Sequence, residues 1–415
     1  MAAVRKFAKL LLALAVLGSA SATFVWAMQK DQDTDTVAAM TAKMKTVCVG
    51  RFLIDLPQEA QVTLTQPSID GFDVAAFDES NEEFQVRLAA REAEIKAKPD
   101  RLGGNQNLES VTEVKTDSGI VGKIFVHSRQ VTEGTAANGL DLERYRYEGI
   151  SIEALVNGNG VSIDLVADDY EPGLMKNLPQ LVAKLVPNPT NTVPSEAGFC
   201  IDRAYFRDPL QADQNEQIVM HAGLPSRPDI RFMLILAAGI KPDEKGLLKR
   251  DAAAETRLSL IERMYVSKLR AGARVIGGLS GEEVARGFVK ANGKTVYSFV
   301  WELNGTENNV LLPHLRFEMD TGESDNNPVP SALSEGAALG FWDKILSGVR
   351  LRPTDHGANA AGTASLPGRL YDVAGDNCYQ GDWWRCDASS INERQLPVAP
   401  QLKSSVVAAD SSWRR

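Results

Sequence analysis

At 415 residues, 44% hydrophobic and 24% charged, the chain has a globular composition and length enough for two domains and tails. A formal net charge of −9, with no Lys/Arg block interleaved with aromatics past residue 30, argues against non-specific nucleic-acid binding. That acidity suits a hydrated surface or a basic patch on a partner.

The N-terminus reads as an export signal. Arg5, Lys6 and Lys9 form a positive region, Leu10 to Leu17 an apolar one, and Ala20-Ser21-Ala22 a small-x-small cleavage site. Residues 1–22 are thus expected to be a signal peptide; left uncleaved, the apolar stretch would run to Met28 and anchor the chain in a bilayer. No cysteine precedes Cys48, which excludes a lipid-modified cysteine at this signal. The rest of the chain is expected outside the cytoplasm, where disulfides persist. Four cysteines follow, Cys48, Cys200, Cys378 and Cys386. An even count there favours two bridges. Of three connectivities the expected one is Cys48–Cys200 with Cys378–Cys386: the first two stand at matching places in two similar openings, and the last two can close a hairpin.

Residues 23–44 are polar and read as a linker. From Cys48 the pattern changes. Phe72, Val74 and Ala76 alternate as in a strand. Ser80 and Glu83 form a capping box that opens a helix with Phe84, Leu88 and Ile95 on one face, ended by Pro99. Strands are expected over Lys123–His127, Glu143–Tyr147 and Ile152–Val156. Asn157-Gly158-Asn159-Gly160 is a hairpin turn leading to a half-buried strand through Val161, Ile163 and Leu165. A helix over Leu174–Leu185 follows.

After Cys200 the same order returns. Arg231–Ala238 reads as a strand, Ala252–Leu269 as a helix, Thr295–Leu303 as a strand, and Leu315, Phe317 and Met319 as the inner face of another. A last helix carries Leu339, Trp342, Ile345 and Leu346. The sequence thus predicts an α+β protein: two tandem, pseudo-repeated domains with antiparallel sheets, at 45–190 and 196–354. Arg87-Leu88 and Arg257-Leu258 are expected as matching helix positions. Residues 355–372 are Gly/Ala/Ser/Thr-rich and read as a linker; 373–415, with Trp383 and Trp384 between two cysteines, read as a small disulfide-closed β-module.

No motif establishes catalysis. Asp117-Ser118-Gly119 and Asp320-Thr321-Gly322 resemble aspartic-protease triplets, and an exported hydrolase using Asp117 and Asp320 is one alternative. The triplets occupy inequivalent places in the repeat, and both are ordinary turn sequences. Ser280 lies in GGLSGEE, which lacks the G-x-S-x-G order of a nucleophile elbow. The four histidines, His127, His221, His314 and His356, stand alone. The cysteines lack C-x-x-C spacing, and there is no phosphate-binding Gly loop, so neither metal nor cofactor is expected. The chain reads as a binder. A non-catalytic envelope scaffold is a second alternative.

Three stretches carry a resemblance: CVGRFLIDLP at Cys48–Pro57, GFCIDRA at Gly198–Ala204, and GLSGEE at Gly278–Glu283. They resemble the immunity proteins of type VI secreted lipase effectors, the cognate partners of family-four Tle phospholipases. The resemblance spans about residues 45–354. It implies a periplasmic protein without catalytic residues that binds a phospholipase effector and blocks its active site or the lid movement lipases need. It involves no nucleic acid, and a membrane only through an uncleaved N-terminal segment. Ser280, Glu282 and Glu283 in the turn, with Asp320, Glu323 and Asp325 in the acidic loop, are expected at the interface.

Overall fold

The computed structural model describes residues 28–353, except 100–105, 139–140, 209, 211–213, 291–292 and 325–326. The expected β-module at 373–415, with Cys378 and Cys386, lies outside the described residues. The described residues open with helix α1 (28–40). The first half then runs β1 (Met44–Val49), β2 (Phe52–Pro57), β3 (Gln61–Ile69), β4 (Phe72–Asp78), α2 (Asn81–Ala97), β5 (Leu108–Lys115), β6 (Val121–Asn138), β7 (Asp141–Gly158), β8 (Val161–Tyr170), α3 (Asn177–Lys184) and β9 (Leu185–Pro187). The second half runs β10 (Gly198–Ile201), β11 (Ala204–Arg207), β12 (Glu216–Leu224), β13 (Arg227–Ala238), α4 (Leu247–Arg257), α5 (Leu260–Met264), β14 (Val266–Ile276), β15 (Leu279–Val289), β16 (Thr295–Leu303) and β17 (His314–Thr321). A small ladder of β18 (Glu323–Ser324) and β19 (Asn327–Pro328) precedes α6 (Glu335–Leu346) and β20 (Arg350–Leu351).

The expected α+β class with antiparallel sheets is what forms, and element order repeats from one half to the other. The halves are fused through one 12-stranded sheet of order β14-β15-β16-β17-β13-β12-β3-β4-β8-β7-β6-β5. That order reads the same from either end once each strand is replaced by its counterpart. The join is the antiparallel pair β3–β12, from Gln61↔Gly223 to Ile69↔Glu216. The small sheets complete the relation by exchange. β20, the last strand of the second half, pairs with β2 of the first; β9, the last of the first half, pairs with β11 of the second. The described residues therefore form one compact body.

Strand alternation sorts the side chains onto two faces. Ile124, Val126, Ala154 and Val156 point into the main core with Leu178 and Leu181 of α3 and Trp342, Ile345 and Leu346 of α6. Their neighbours Phe125 and Leu155 point the other way, into a separate core with Phe84, Leu88 and Ile95 of α2. The Ser80–Glu83 capping box that starts α2 is present in both directions. In the second half the main core is aromatic. Trp342 stacks on Phe317 with centroids 5.2 Å apart, and Phe232 stacks on Phe317 in turn.

Three local expectations need correction. Residues 28–40 are helical, not linker: Val37 and Met40 pack on the core, and α6 carries Gly340 where a Cβ would lie 3.2 Å from Val37. The single helix over Leu174–Leu185 is a one-turn 3-10 segment (Pro172–Leu174) followed by α3. The helix over Ala252–Leu269 is α4, α5 and the start of edge strand β14. It breaks at Leu258, whose ψ of 133° is extended, and restarts at a second capping box, Ser259–Glu262. Among the described residues no helix is long and apolar enough to cross a membrane.

Candidate functional site

The repeated openings place their hairpins back to back at the junction of the halves. Cys48 and Cys200 are joined by a disulfide, with Cα atoms 6.0 Å apart. Two residues on, Gly50 exchanges both backbone hydrogen bonds with Cys200, its N–H donating over 3.0 Å and its carbonyl accepting over 2.8 Å. Gly50 has φ +56°, and a Cβ there would fall 3.0 Å from the Phe199 ring, so this turn takes glycine for both reasons.

Arg51 follows and reaches into the second half. Its guanidinium donates to both oxygens of Glu216, over 2.8 and 2.7 Å, and to both oxygens of Asp208, over 2.8 and 3.0 Å. Burial alone would lower the Arg51 pKa; the two carboxylates outweigh it and the net direction is up. Burial pushes the Glu216 carboxyl up, against the pull of Arg51. A guanidinium cannot give up its proton and every Glu216 oxygen is bonded to it, so the buried species is the ion pair. The equivalent turn residue of the second half, Arg203, reaches the other way to Asp78 at the end of β4. Arg352, just past β20, donates to the Gly198 carbonyl over 2.6 Å and lies 3.5 Å from Cys200 Sγ. A cavity of about 10 Å³ beside Arg51, Phe52, Phe199 and Glu216 is the size of about one water. The junction is packed and cross-braced: it fixes the two halves against one another.

None of the expected interface residues that are described lies at this junction: Ser280, Glu282 and Glu283 are on β15, Asp320 on β17 and Glu323 on β18. Glu283 is buried, not exposed in a turn. It lies on β15 and accepts hydrogen bonds from Trp342 Nε1, Arg274 and Arg270. Glu282 accepts from the Leu248 N–H over 2.9 Å, at the start of α4. Ser280 is exposed on β15, the turn being Gly277-Gly278 before it. Asp320 is exposed on β17. Glu323 lies on β18, and Asp325 lies outside the described residues. Asp117 is in the β5–β6 turn, seven strand spacings from β17. At ~4.8 Å each that is about 34 Å, far too far for Asp117 and Asp320 to share a proton. Nor does Arg257 repeat Arg87. Arg87 of α2 binds Glu79, just before its helix, and Asp164 on the sheet. Arg250 does the same from α4, binding Asp243 and Glu302.

Sequence reading passed over two exposed features. On α5, Leu260 is 81% and Met264 83% exposed, and none of the helix's residues is buried. The far half of the β6–β7 hairpin exposes Leu142, Tyr145 and Tyr147. The signals were the apolar and aromatic residues of SLIERMY and LERYRY.

The fold is that of solved type VI secretion immunity proteins. The apo structure of immunity protein TplEi from Pseudomonas aeruginosa superposes with a TM-score of 0.60 at 23% identity, covering 75% of this chain and 98% of that one. A crystal structure of a Tle4–Tli4 complex gives the same score and identity over 75% and 99%. TplEi bound to an "L" peptide gives 0.57 at 24% identity over 75% and 99%. No curated protein sequence matches. Residues 45–150 match the model of the Tle cognate immunity protein 4 N-terminal domain, and residues 192–354 that of its C-terminal domain. The chain belongs to the Tle cognate immunity protein 4 family and is a type VI effector immunity protein.

Proposed function

We propose that this chain acts in the periplasm, delivered there by residues 1–22, and neutralises one phospholipase effector by binding it one-to-one without chemical turnover. The observation that carries the reading is the coincidence of two independent divisions of the chain. The N- and C-terminal family matches fall on the two copies of the structural repeat, in order. The junction supports it physically. A bridge, an exchanged strand pair and a buried ion pair pre-set the angle between the halves, which lowers the ordering cost of gripping a large partner. Neutralising a lethal lipase calls for nanomolar binding, about 12 kcal/mol. The buried surface must then reach at least ~1,200 Å² in total.

The test is to mix the purified protein with the phospholipase encoded beside its gene. Hydrolysis of phospholipid vesicles should fall linearly to zero at equimolar protein. Undiminished hydrolysis at tenfold excess would refute the proposal.

A further inference from the structure

The duplicated scaffold carries its own control: what one half has and the other lacks was not needed to build the unit. The largest such difference is the β6–β7 hairpin. Each of its strands is 18 residues long, whereas the counterparts β15 and β16 have 11 and 9. β5 pairs with β6 only over 121–127, and β8 pairs with β7 only over 150–158. From Gln130↔Gly149 to Asn138↔Asp141 neither strand is paired to a third strand among the described residues. Nine residues at ~3.3 Å make an arm about 30 Å long standing off the sheet edge.

We propose that this arm, residues 130–138 and 141–149, is an element by which the chain grips its phospholipase effector, a proposal that rests on the reading above. A free two-stranded ribbon is only marginally stable, and this one is held at several points. Arg129 ties its base to Glu109 and Glu148, and the Tyr147 hydroxyl donates to the Asp169 carbonyl. Further out, the Tyr145 ring lies across Gly134, where a Cβ would come within 2.5 Å of the phenol oxygen. Arg146 pairs with Glu133 across the strands at 3.1 Å. An arm stiffened this way keeps every residue from Leu142 to Tyr147 exposed.

Its side chains are those that anchor protein interfaces. Tyr145 and Tyr147 share one face; Leu142, Arg144 and Arg146 share the other. Tyr and Arg are enriched at interface hot spots. A ribbon about 30 Å long and ~10 Å wide, covered on both faces and edges by a cleft, buries on the order of 800 Å², one partner's share of a standard interface. The occupant is a protein of different sequence. Charges of both signs on the arm (Glu133, Glu143, Arg144, Arg146, Glu148) oppose edge-to-edge pairing with a second copy and leave no basic face for a lipid surface.

The experiment is calorimetric titration of the neighbouring-gene phospholipase with three full-length proteins: wild type, Tyr145→Ala/Arg144→Glu, and a chain with 131–147 replaced by Asn-Gly. The shortened chain should keep the wild-type melting temperature within a few degrees and bind at least 100-fold more weakly; the double variant should lose at least tenfold. Should the shortened chain not fold, the double variant, altered only at exposed side chains, decides. Binding within threefold of wild type by whichever variant is folded overturns the proposal and leaves the immunity reading standing. Shortening that converts a dimer to a monomer in light scattering, with effector affinity unchanged, also overturns it. Absence of binding by the wild type would bring down both.

Discussion

Cys48 and Cys200 stand at equivalent positions of the two openings and are bonded to each other, so the duplicated motif is joined to its own copy. The bridge closes a loop 152 residues apart in sequence. Loop-closure arithmetic gives such a bridge up to roughly 5 kcal/mol, with engineered cases delivering less. The β3–β12 ladder and the exchanged strands also connect the halves. Cys48→Ala/Cys200→Ala should therefore stay folded but lose about 2–5 kcal/mol in urea denaturation, and dithiothreitol should do the same to the wild type. A double variant with an unchanged midpoint would show the bridge to be dispensable.

The Arg51–Glu216–Asp208 cluster makes a different demand. Arg51→Met leaves Glu216 buried with no guanidinium, and stranding one buried charge costs about 3–5 kcal/mol. Adding Glu216→Leu removes the stranded charge. The double variant should regain most of the loss, giving a coupling of at least ~2 kcal/mol in a double-mutant cycle. Additive losses would mean the pair is not the buried species.

Glu283 was expected at an interface because GLSGEE reads as an exposed turn. Its position as the acceptor for Trp342, Arg274 and Arg270 predicts a core phenotype. Glu283→Ala should lower stability by about 1–3 kcal/mol, since it leaves the buried Trp342 indole N–H without its acceptor, while Arg270 and Arg274 keep Asp343 as their partner. Effector affinity of the protein that remains folded should be unchanged. The reverse pattern would restore the interface reading.

What sequence could reveal followed physical period. β4, β8, β16 and β17 alternate cleanly because one face of each meets the core, and α2 and α6 announce themselves by caps and a single apolar stripe. Failure came where packing overrode period. Leu258, Ile261, Tyr265 and Leu269 have helical spacing, yet Ile261 and Tyr265 are exposed and Leu269 belongs to edge strand β14. The Ser259–Glu262 box inside that stretch was the available sign of a restart. α1 was missed because its contribution to the core is only Val37 and Met40, set against the small face of α6. The exchange of β9 and β20 rests on strands of three and two residues, too short to carry any period. Interface residues were illegible for a further reason: acidic sequence marks solvated loops and buried ion pairs alike.

The His314 imidazole gives the fold a dependence on mild acid. Burial holds its pKa below the ordinary 6.5; Glu302 pulls up, Arg316 and Arg250 push down, and Asp243 pulls up. The unfolded chain takes up a proton near pH 6.5, whereas the folded protein does so only at lower pH. Between those values the unfolded state binds more protons, so stability is fully present above pH 6.5 and falls as the pH drops toward the folded pKa. His221, also lowered by burial, adds a component of the same sign. Glu92 acts elsewhere: bonded to Lys123 and Lys96, it is held at about 2, so its contribution is lost only below 4.5. Urea midpoints at pH 7.5, 6.5 and 5.5 should therefore decline in the wild type. They should decline less in His314→Gln, whose amide takes no proton, with His221 supplying the residual slope. Equal slopes in the two proteins would show that His314 titrates alike in both states.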